Sequence, residues 1–541
     1  SVSSSLIRER FPIRTIQIDE SDKKNILDAI LSSIPKNSRI LINAFVSPKE
    51  LKDRIFFPDN ENYFVKELMK ISNRIILASL GSPYLLMGFP EVSTYLCAYK
   101  GSAIMQSALS KALMGKENIS GRLPISIPGM FDIGSGIFLE KKFNQEEKKQ
   151  FSPGKLMLRV RPQSVDANIS NIEKLMDQAV NERAWPGGVL LAAKDGNIFY
   201  QRGHGYHTYD KKNPTRSSDI FDLASITKVV STTSAIMKLQ DLNKIDINKP
   251  VVKYLPEFKG TTKKHFSQKS TITIKDLLAH VSGLPPFKKY YETEKTKTSL
   301  LKSIYNTDPI YENRDTTIYS DVGAIILGQI VEKVSGLTLD VFVDSMVFEP
   351  LGMGTTFFNP PKEKKHRIVP TEISKDGALI HGYVHDENAY ALNGIAGHAG
   401  LFSTVKDIAV FSQMMLNGGL YGWKRIFKYE TVNQFTSKAN ILENSSRLLG
   451  WDSPNGQASG GVYLSDSSFG HTGFTGTSLW IDPDNNIIVV LLTNAVHPNR
   501  NRKSPSYYDW RQRIHSSVYE ALSITDINPK LKLRAKWDNM E

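Results

Sequence analysis

The stretch Phe221-Asp222-Leu223-Ala224-Ser225-Ile226-Thr227-Lys228, with the apolar, Ser/Thr-rich run that follows it to Asp241, decides how the rest of the chain is read. Val229, Val230, Ala235, Ile236, Met237 and Leu239 make that run too apolar for anything but a buried helix. Positions three apart on a helix share a face, so Ser225 and Lys228 stand about one turn apart on the same side. Ser225 then lies in the first turn, where unpaired N–H groups and the positive end of the helix dipole favour developing negative charge. A serine hydroxyl is a weak nucleophile until a neighbour removes its proton, and a desolvated lysine one turn along can hold the neutral amine for that task. Taken alone, the pair is ambiguous: serine is also a common helix cap, and S-x-x-K occurs by chance.

Two later stretches resolve the ambiguity. Tyr319-Ser320-Asp321 precedes a second apolar helix, Val322 to Val334, and His471-Thr472-Gly473 opens an edge-like strand running through Gly476 to Ile481. In this order the three motifs resemble the β-lactamase and penicillin-binding superfamily of serine hydrolases, closest to its class C and esterase-like branch, where the middle motif begins with Tyr. Leu277 to Pro285, Val384 to Ala389 and Gly397 to Thr404 resemble the loops between the family's motifs, so the likeness runs from about Ile169 to Ile524.

The resemblance implies that Ser225 attacks a carbonyl carbon. Lys228, kept neutral by its neighbours, or a phenolate-like Tyr319 would take the proton, and the choice between them stays open. It further implies an oxyanion hole from the backbone N–H groups of Ser225 and Phe474, with His471, Thr472, Gly473 and Asp321 on the substrate side. His398 lies in a loop the family places near the cleft, as a substrate contact or as a structural residue bonded to backbone. Two positions depart from the family pattern. Asp321 stands where Asn is usual and, when ionised, only accepts hydrogen bonds. His471 replaces the more usual lysine and is expected to be partly charged near neutrality. That favours an ester or internal amide, and ranks a D-Ala-D-Ala carboxypeptidase below a broader amidase or esterase.

Bulk properties narrow the class. The 541 residues are 40% hydrophobic and 23% charged, as in soluble globular proteins, and length alone predicts three or four domains. No run of about eighteen apolar residues occurs, so no membrane-spanning segment is expected. The first residues, Ser1 to Ser5, contain neither Met nor a signal segment, and a mature or truncated product is expected. A single cysteine, Cys97, excludes internal disulfides and is expected in the core. The charge of +13 comes from scattered lysines without a base-reading module. This excludes nucleic acid as the expected partner and leaves a solvated surface, with attraction to polyanionic cell-wall polymers as a weaker reading.

From residue 1 to 138 apolar strands (40–46, 74–79, 94–99) alternate with helices (63–71, 102–114), which predicts a doubly wound parallel α/β sandwich. Leu80 to Tyr84, Ala108 to Gly115 and Gly121 to Pro128 resemble the end of the C-terminal α/β domain of family 3 glycoside hydrolases. That family's catalytic barrel is expected to be absent from the chain, so the segment reads as a scaffold. Residues 139–165 read as a linker, 166–525 as the hydrolase domain and 526–541 as a tail. In the hydrolase domain a helix from Ile172, hairpins 189–201 and 478–493, and a closing helix 510–522 predict an antiparallel sheet built from both ends of the domain, flanked by helices, with a helical subdomain inserted after Ser225. The fold class is thus α/β followed by α+β.

His381 and His385 lack the H-E-x-x-H form, and His280 reads as a structural histidine, so neither a metal nor a cofactor is expected. The first functional reading is an acyl-enzyme amidase or peptidase on peptidoglycan-derived muropeptides, similar to an N-acetylmuramoyl-L-alanine amidase, in the periplasm or secreted. The alternatives are a carboxylesterase or weak β-lactamase, and a penicillin-recognition or cell-wall-binding module that does not turn over.

Overall fold

The structure is a computed structural model and describes residues 16–18, 22–36, 38–46, 57–113, 119, 121–137, 139, 154–422, 424–439, 441–442, 445–502 and 506–537. The chain forms two units, Ser1–Ser152 and Pro153–Glu541.

In the first unit β1 (Ile40–Ala44), β2 (Ile75–Ser79) and β3 (Thr94–Cys97) form a parallel sheet in that order, with helices at Lys24–Ser32, Asp59–Ile71 and Ala103–Leu113. Successive residues of a strand point to opposite faces. Accordingly Leu77 clusters with Val65 and Phe89, whereas its neighbour Ala78 clusters with Leu109. Cys97, expected in the core, is only half-buried, because β3 is an edge strand.

The second unit is built on a six-stranded sheet. Its strands are β4 (Leu158–Arg159), β5 (Gly187–Lys194), β6 (Asn197–Gly205) and, from the far end of the chain, β12 (Phe469–Gly473), β13 (Thr477–Asp482) and β14 (Ile487–Thr493). Between them lie β7 (Phe221–Asp222), β8 (Phe357–Phe358) and β9 (Leu401–Ser403), which make a small sheet of order β7-β9-β8, and a short hairpin of β10 (Leu420–Tyr421) with β11 (Lys424–Arg425). The large sheet has the order β12-β13-β14-β5-β6-β4 and is antiparallel except where β4 pairs parallel with β6. Residues 154–165, expected as linker, thus belong to this unit. The β5–β6 turn is Asp195-Gly196 with both φ positive, 54° and 82°, the geometry a two-residue hairpin needs and Asp-Gly supplies.

Alternation along β5 and β14 divides two cores. Leu190, Ala192, Val489 and Leu491 pack with Met176, Trp510, Ile514 and Val518 of the helices Ser170–Asn181 and Ser506–Ala521. Leu191, Ala193, Val490 and Leu492 face the other way, into a core that includes Phe411 and Met414 of the helix Val405–Leu416 and the helix carrying Lys228. That latter helix is not one uniform α-helix. A 3₁₀ turn, Ala224–Ile226, leads into a π-helical stretch, Lys228–Thr233, and then an α-helix, Ser234–Asp241. Ser234 Oγ bonds back to Val229 O at 3.0 Å, five residues away, matching the wider π turn.

The edge strand β12 and its turn are stitched to the chain just before Ser225. Thr475 Oγ1 donates to Asp222 O (2.7 Å) and Thr477 Oγ1 to Leu223 O (3.0 Å). A Cβ at Gly473 would lie 2.4 Å from Leu223 O and 2.0 Å from Thr477 Oγ1, so only glycine fits there. Gly473→Ala is expected to destabilise the second unit by about 1–3 kcal/mol and to reduce turnover, since relief of the clash displaces the Ser225 turn; urea unfolding followed by tryptophan fluorescence checks the first effect and ester hydrolysis the second.

Candidate active site

The site forms where three local structures meet. Ser225 sits at the centre of the 3₁₀ turn, in which residues three apart eclipse one another, and this brings Lys228 Nζ to 2.9 Å from Ser225 Oγ. The residue before the serine, Ala224, is in the left-handed region (φ 46°), a conformation that costs an L-residue about 1 kcal/mol. It is held there by the buried Asp222, whose carboxylate accepts from Ala224 N (2.8 Å) and His385 N (2.8 Å). Asp222 therefore shapes the nucleophile turn and does not reach substrate.

Tyr319 and Asp321 flank the start of the helix Asp321–Ser335, where Ser320 is the N-cap, accepting from Gly323 N at 3.1 Å. His280 Nδ1 accepts the backbone N–H of Ser320 (3.1 Å), and burial holds its imidazole far below the usual histidine range, so it is a neutral acceptor that anchors this motif. Asp321 Oδ1 lies 2.7 Å from Lys228 Nζ. The centre of the Tyr319 ring lies 4.9 Å from Lys228 Nζ. The third N–H of the lysine goes to the carbonyl of His398 (3.0 Å).

These contacts overturn the expectation of a neutral resting lysine. Burial alone would lower the Lys228 amine, but the Asp321 carboxylate, and after it Tyr319, outweigh burial and raise it. Tyr319 is likewise pushed up, by burial first and with Asp321 adding to it, against the pull of Lys228. At rest the phenol and the ammonium both keep their protons, and Lys228 donates to Ser225 instead of accepting from it. The departure from Asn at position 321 is the cause: a carboxylate there supplies the counter-charge.

His471 is 2% exposed and its Nδ1 donates to Thr472 O (2.8 Å); burial, reinforced by Arg447 and Lys228, brings it down to about 3. It is therefore neutral, not partly charged. His398 is not a substrate contact either: its ring is 1% exposed and its Nε2 lies 2.7 Å from Asp386 Oδ1, so only its carbonyl serves the site. Phe474 is half-exposed on the turn closed by Gly476 N to Gly473 O, with its ring against His385 and Arg500. Thr472 and Gly473 lie on β12, the outer strand of the sheet, as a ligand lying along an edge requires. His381 bonds the carbonyls of Lys365 and Ile368, His385 pairs with Glu372, and among the described residues no cluster of metal-ligating side chains occurs.

Arg447 went unread in the sequence. Its guanidinium carbon lies 4.9 Å from the centre of the Tyr319 ring, the same distance at which Lys228 Nζ approaches that ring, and it pairs with Asp452 at 2.5 Å. It also borders a cavity of about 390 Å³ whose walls include Ala279, Val281, Leu442 and Lys438. No motif marks it, since it comes from the chain between the second and third motifs.

A serine 2.9 Å from a buried lysine, on a turn packed against an antiparallel sheet with helices on both faces, is the arrangement of a serine hydrolase. The chain belongs to the beta-lactamase family, whose model matches residues 172–513. It is 37% identical over 349 residues, 58% of this chain and 80% of the relative, to a Salmonella gallinarum protein named "Putative D-alanyl-D-alanine carboxypeptidase", and equally so to one of the same name from Salmonella typhi. Solved structures of similar fold include EstCE1, titled a hydrolase with promiscuous acyltransferase activity (TM-score 0.53, 21% identity, 66% of this chain and 99% of that one). The unliganded simvastatin synthase LovD from Aspergillus terreus is similar too (TM-score 0.52, 19% identity, 66% of this chain and 99% of that one).

Ser225→Ala is expected to lower turnover of a p-nitrophenyl ester by about 10⁴-fold or more and to abolish the covalent adduct with a chromogenic cephalosporin, read by intact-protein mass spectrometry. Surviving turnover or adduct would exclude Ser225 as the nucleophile.

Proposed function

We propose that this serine hydrolase is a peptidase of peptidoglycan-derived stem peptides that removes a C-terminal residue, acting in the periplasm or outside the cell. The observation that carries this reading is Arg447. A substrate whose free carboxylate adjoins the scissile bond needs a fixed positive charge nearby, and a neutral His471 cannot supply one. Arg447, always charged, stands over the Tyr319 ring and meets that need from a different part of the chain. The names of the Salmonella relatives point the same way. This reverses the ranking drawn from His471, which placed a D-Ala-D-Ala carboxypeptidase below a broader amidase or esterase.

The amidase reading draws its support from the resemblance of the first unit to the terminal α/β domain of family 3 glycoside hydrolases, since a glycosidase and an amidase joined in one chain would act on the same muropeptides. We read that unit as a scaffold; the support is its three parallel strands and the glycine after β2, Gly81, where a Cβ would meet Val46 O at 1.9 Å.

Mass spectrometry of defined muropeptides with tripeptide and pentapeptide stems tests the proposal, with Ser225→Ala as control. Loss of only the terminal D-Ala from the pentapeptide is the expected result. Release of the whole stem would make the chain an amidase, and no cleavage of either would remove peptidoglycan peptides as the substrate. Arg447→Met is expected to raise KM for the pentapeptide about 10–100-fold, the worth of a charge-assisted contact, while leaving p-nitrophenyl ester hydrolysis within a few-fold.

A further inference from the structure

The polar contacts of Asp222 all lead to residues that flank either Ser225 or Phe474. One carboxylate oxygen accepts from the N–H of Ala224, the residue before Ser225, at 2.8 Å. The other accepts from His385 N at 2.8 Å, and the His385 ring stacks on the Phe474 ring with centroids 5.9 Å apart. The carbonyl oxygen of Asp222 accepts from the hydroxyl of Thr475, the residue after Phe474, at 2.7 Å. Asp222 itself is 2% exposed and is pinned by the pairing of β7 with β9, in which it lies opposite Phe402.

Two backbone turns are joined in this way. One is the 3₁₀ turn that carries Ser225; the other is the β12–β13 turn, closed by Gly476 N to Gly473 O at 3.1 Å. They abut closely enough that a Cβ at Gly473 would lie 2.4 Å from Leu223 O. When Ser225 Oγ bonds to a carbonyl carbon, the carbonyl oxygen gains negative charge, and N–H donors stabilise it only where they are aimed in advance at the place it will occupy. The separation and tilt of the two turns then bear directly on the barrier, since small misplacements of reacting groups are costly.

We propose that Asp222 is a positioning residue that fixes the Ser225 turn and the β12–β13 turn relative to each other, so that backbone N–H groups of both point at the oxygen of the carbonyl under attack. The conformation of Ala224 supports this. A left-handed L-residue costs about 1 kcal/mol, so the bond from Asp222 that holds φ at 46° serves geometry more than stability. On the Phe474 side the same network is braced again. Glu372 takes both the His385 ring (2.7 Å) and Arg500 Nε (2.8 Å), and the guanidinium carbon of Arg500 lies 5.9 Å from the centre of the Phe474 ring. Each Asp222 carboxylate oxygen is occupied by a backbone N–H, which leaves its role one of placement and not of proton transfer.

The preference for a carbonyl over a thiocarbonyl tests the assignment: kcat/KM for p-nitrophenyl butyrate divided by that for its thiono analogue, on the full chain. Sulfur is a weak hydrogen-bond acceptor and sits farther from carbon, so aligned donors favour the oxygen ester and misaligned donors lose that preference. Asp222→Asn keeps the volume but turns an NH₂ group toward one of the two backbone donors and breaks that bond. It is expected to lower kcat about 100-fold, to leave KM within about threefold and to reduce the oxygen preference by about tenfold or more. Thr475→Val, which removes only the hydroxyl bonded to Asp222 O, is expected to reduce the preference in the same direction, and Thr475→Ser to restore it. Variants that keep the wild-type oxygen preference, whether or not activity falls, overturn the proposal, because a smaller folded fraction lowers both rates equally. A wild type without the preference overturns it as well. If Asp222→Asn does not fold, the two Thr475 variants decide by themselves. The ester carries no peptide, so the outcome is independent of whether stem peptides are the substrate; it rests on Ser225 as nucleophile, which Ser225→Ala tests separately.

Discussion

The active site depends on one buried ammonium group. Lys228 is 3% exposed, and a charge removed from water to that degree is tolerated only when it is paired and its hydrogens are bonded. Asp321, Ser225 and the His398 carbonyl meet that demand, and each comes from a different element: the helix after Tyr319, the 3₁₀ turn and the loop before β9. The lysine is in this sense the joint at which the helical subdomain, the nucleophile turn and the β7–β9–β8 sheet are held together. Removing any one acceptor leaves a buried charge short of partners, which costs more than an ordinary hydrogen bond is worth.

A second layer of polar groups sets the geometry of that joint without touching substrate. Asp222 holds Ala224 in its left-handed conformation and reaches His385 N; the His385 ring pairs with Glu372, and Glu372 takes both the backbone and the side chain of Arg500. The carboxyl of Glu372 is pulled down to about 2 by these bonds, His385 first and then Arg500, against the opposing effect of burial. On the other side Asp386 and His398 fix the carbonyl that receives the lysine. Such networks stiffen a site because each member is satisfied only in one arrangement. The strain at Ala224 persists because the surrounding bonds over-determine it.

Charge is distributed around the cleft differently from what the third motif alone suggests. His471 is uncharged because the edge strand buries its ring beside Arg447 and Lys228, two cations that both disfavour a third. Arg447 carries the positive charge instead, and its contact with Asp452 ties it to the segment that bridges to β12 through Gly470.

Much of the second unit was legible in the sequence because its signals are local. Asp-Gly at 195–196 announces a hairpin, the i, i+3, i+4 pattern from Ile172 announces a helix, and S-x-x-K announces a nucleophile with its lysine on one face. The residue types that the chemistry needs, Ser225, Lys228 and Tyr319, could be named from spacing and resemblance alone. Their protonation states could not, since these depend on burial and on neighbours far apart in the chain: Asp321 on Lys228, and Arg447 on His471. The role of His398 was hidden for the same reason, because a residue in a glycine loop contributes here through its carbonyl, and only the tertiary path of the chain decides which way a carbonyl points. Arg447, outside any motif, becomes a member of the site only because folding brings its segment over Tyr319. The sequence by itself determined the order of motifs, the sheet formed from both ends of the domain and the candidate nucleophile; the tertiary structure alone decided which groups are charged, because charge in a protein is set by the solvent excluded and the partners gained on folding.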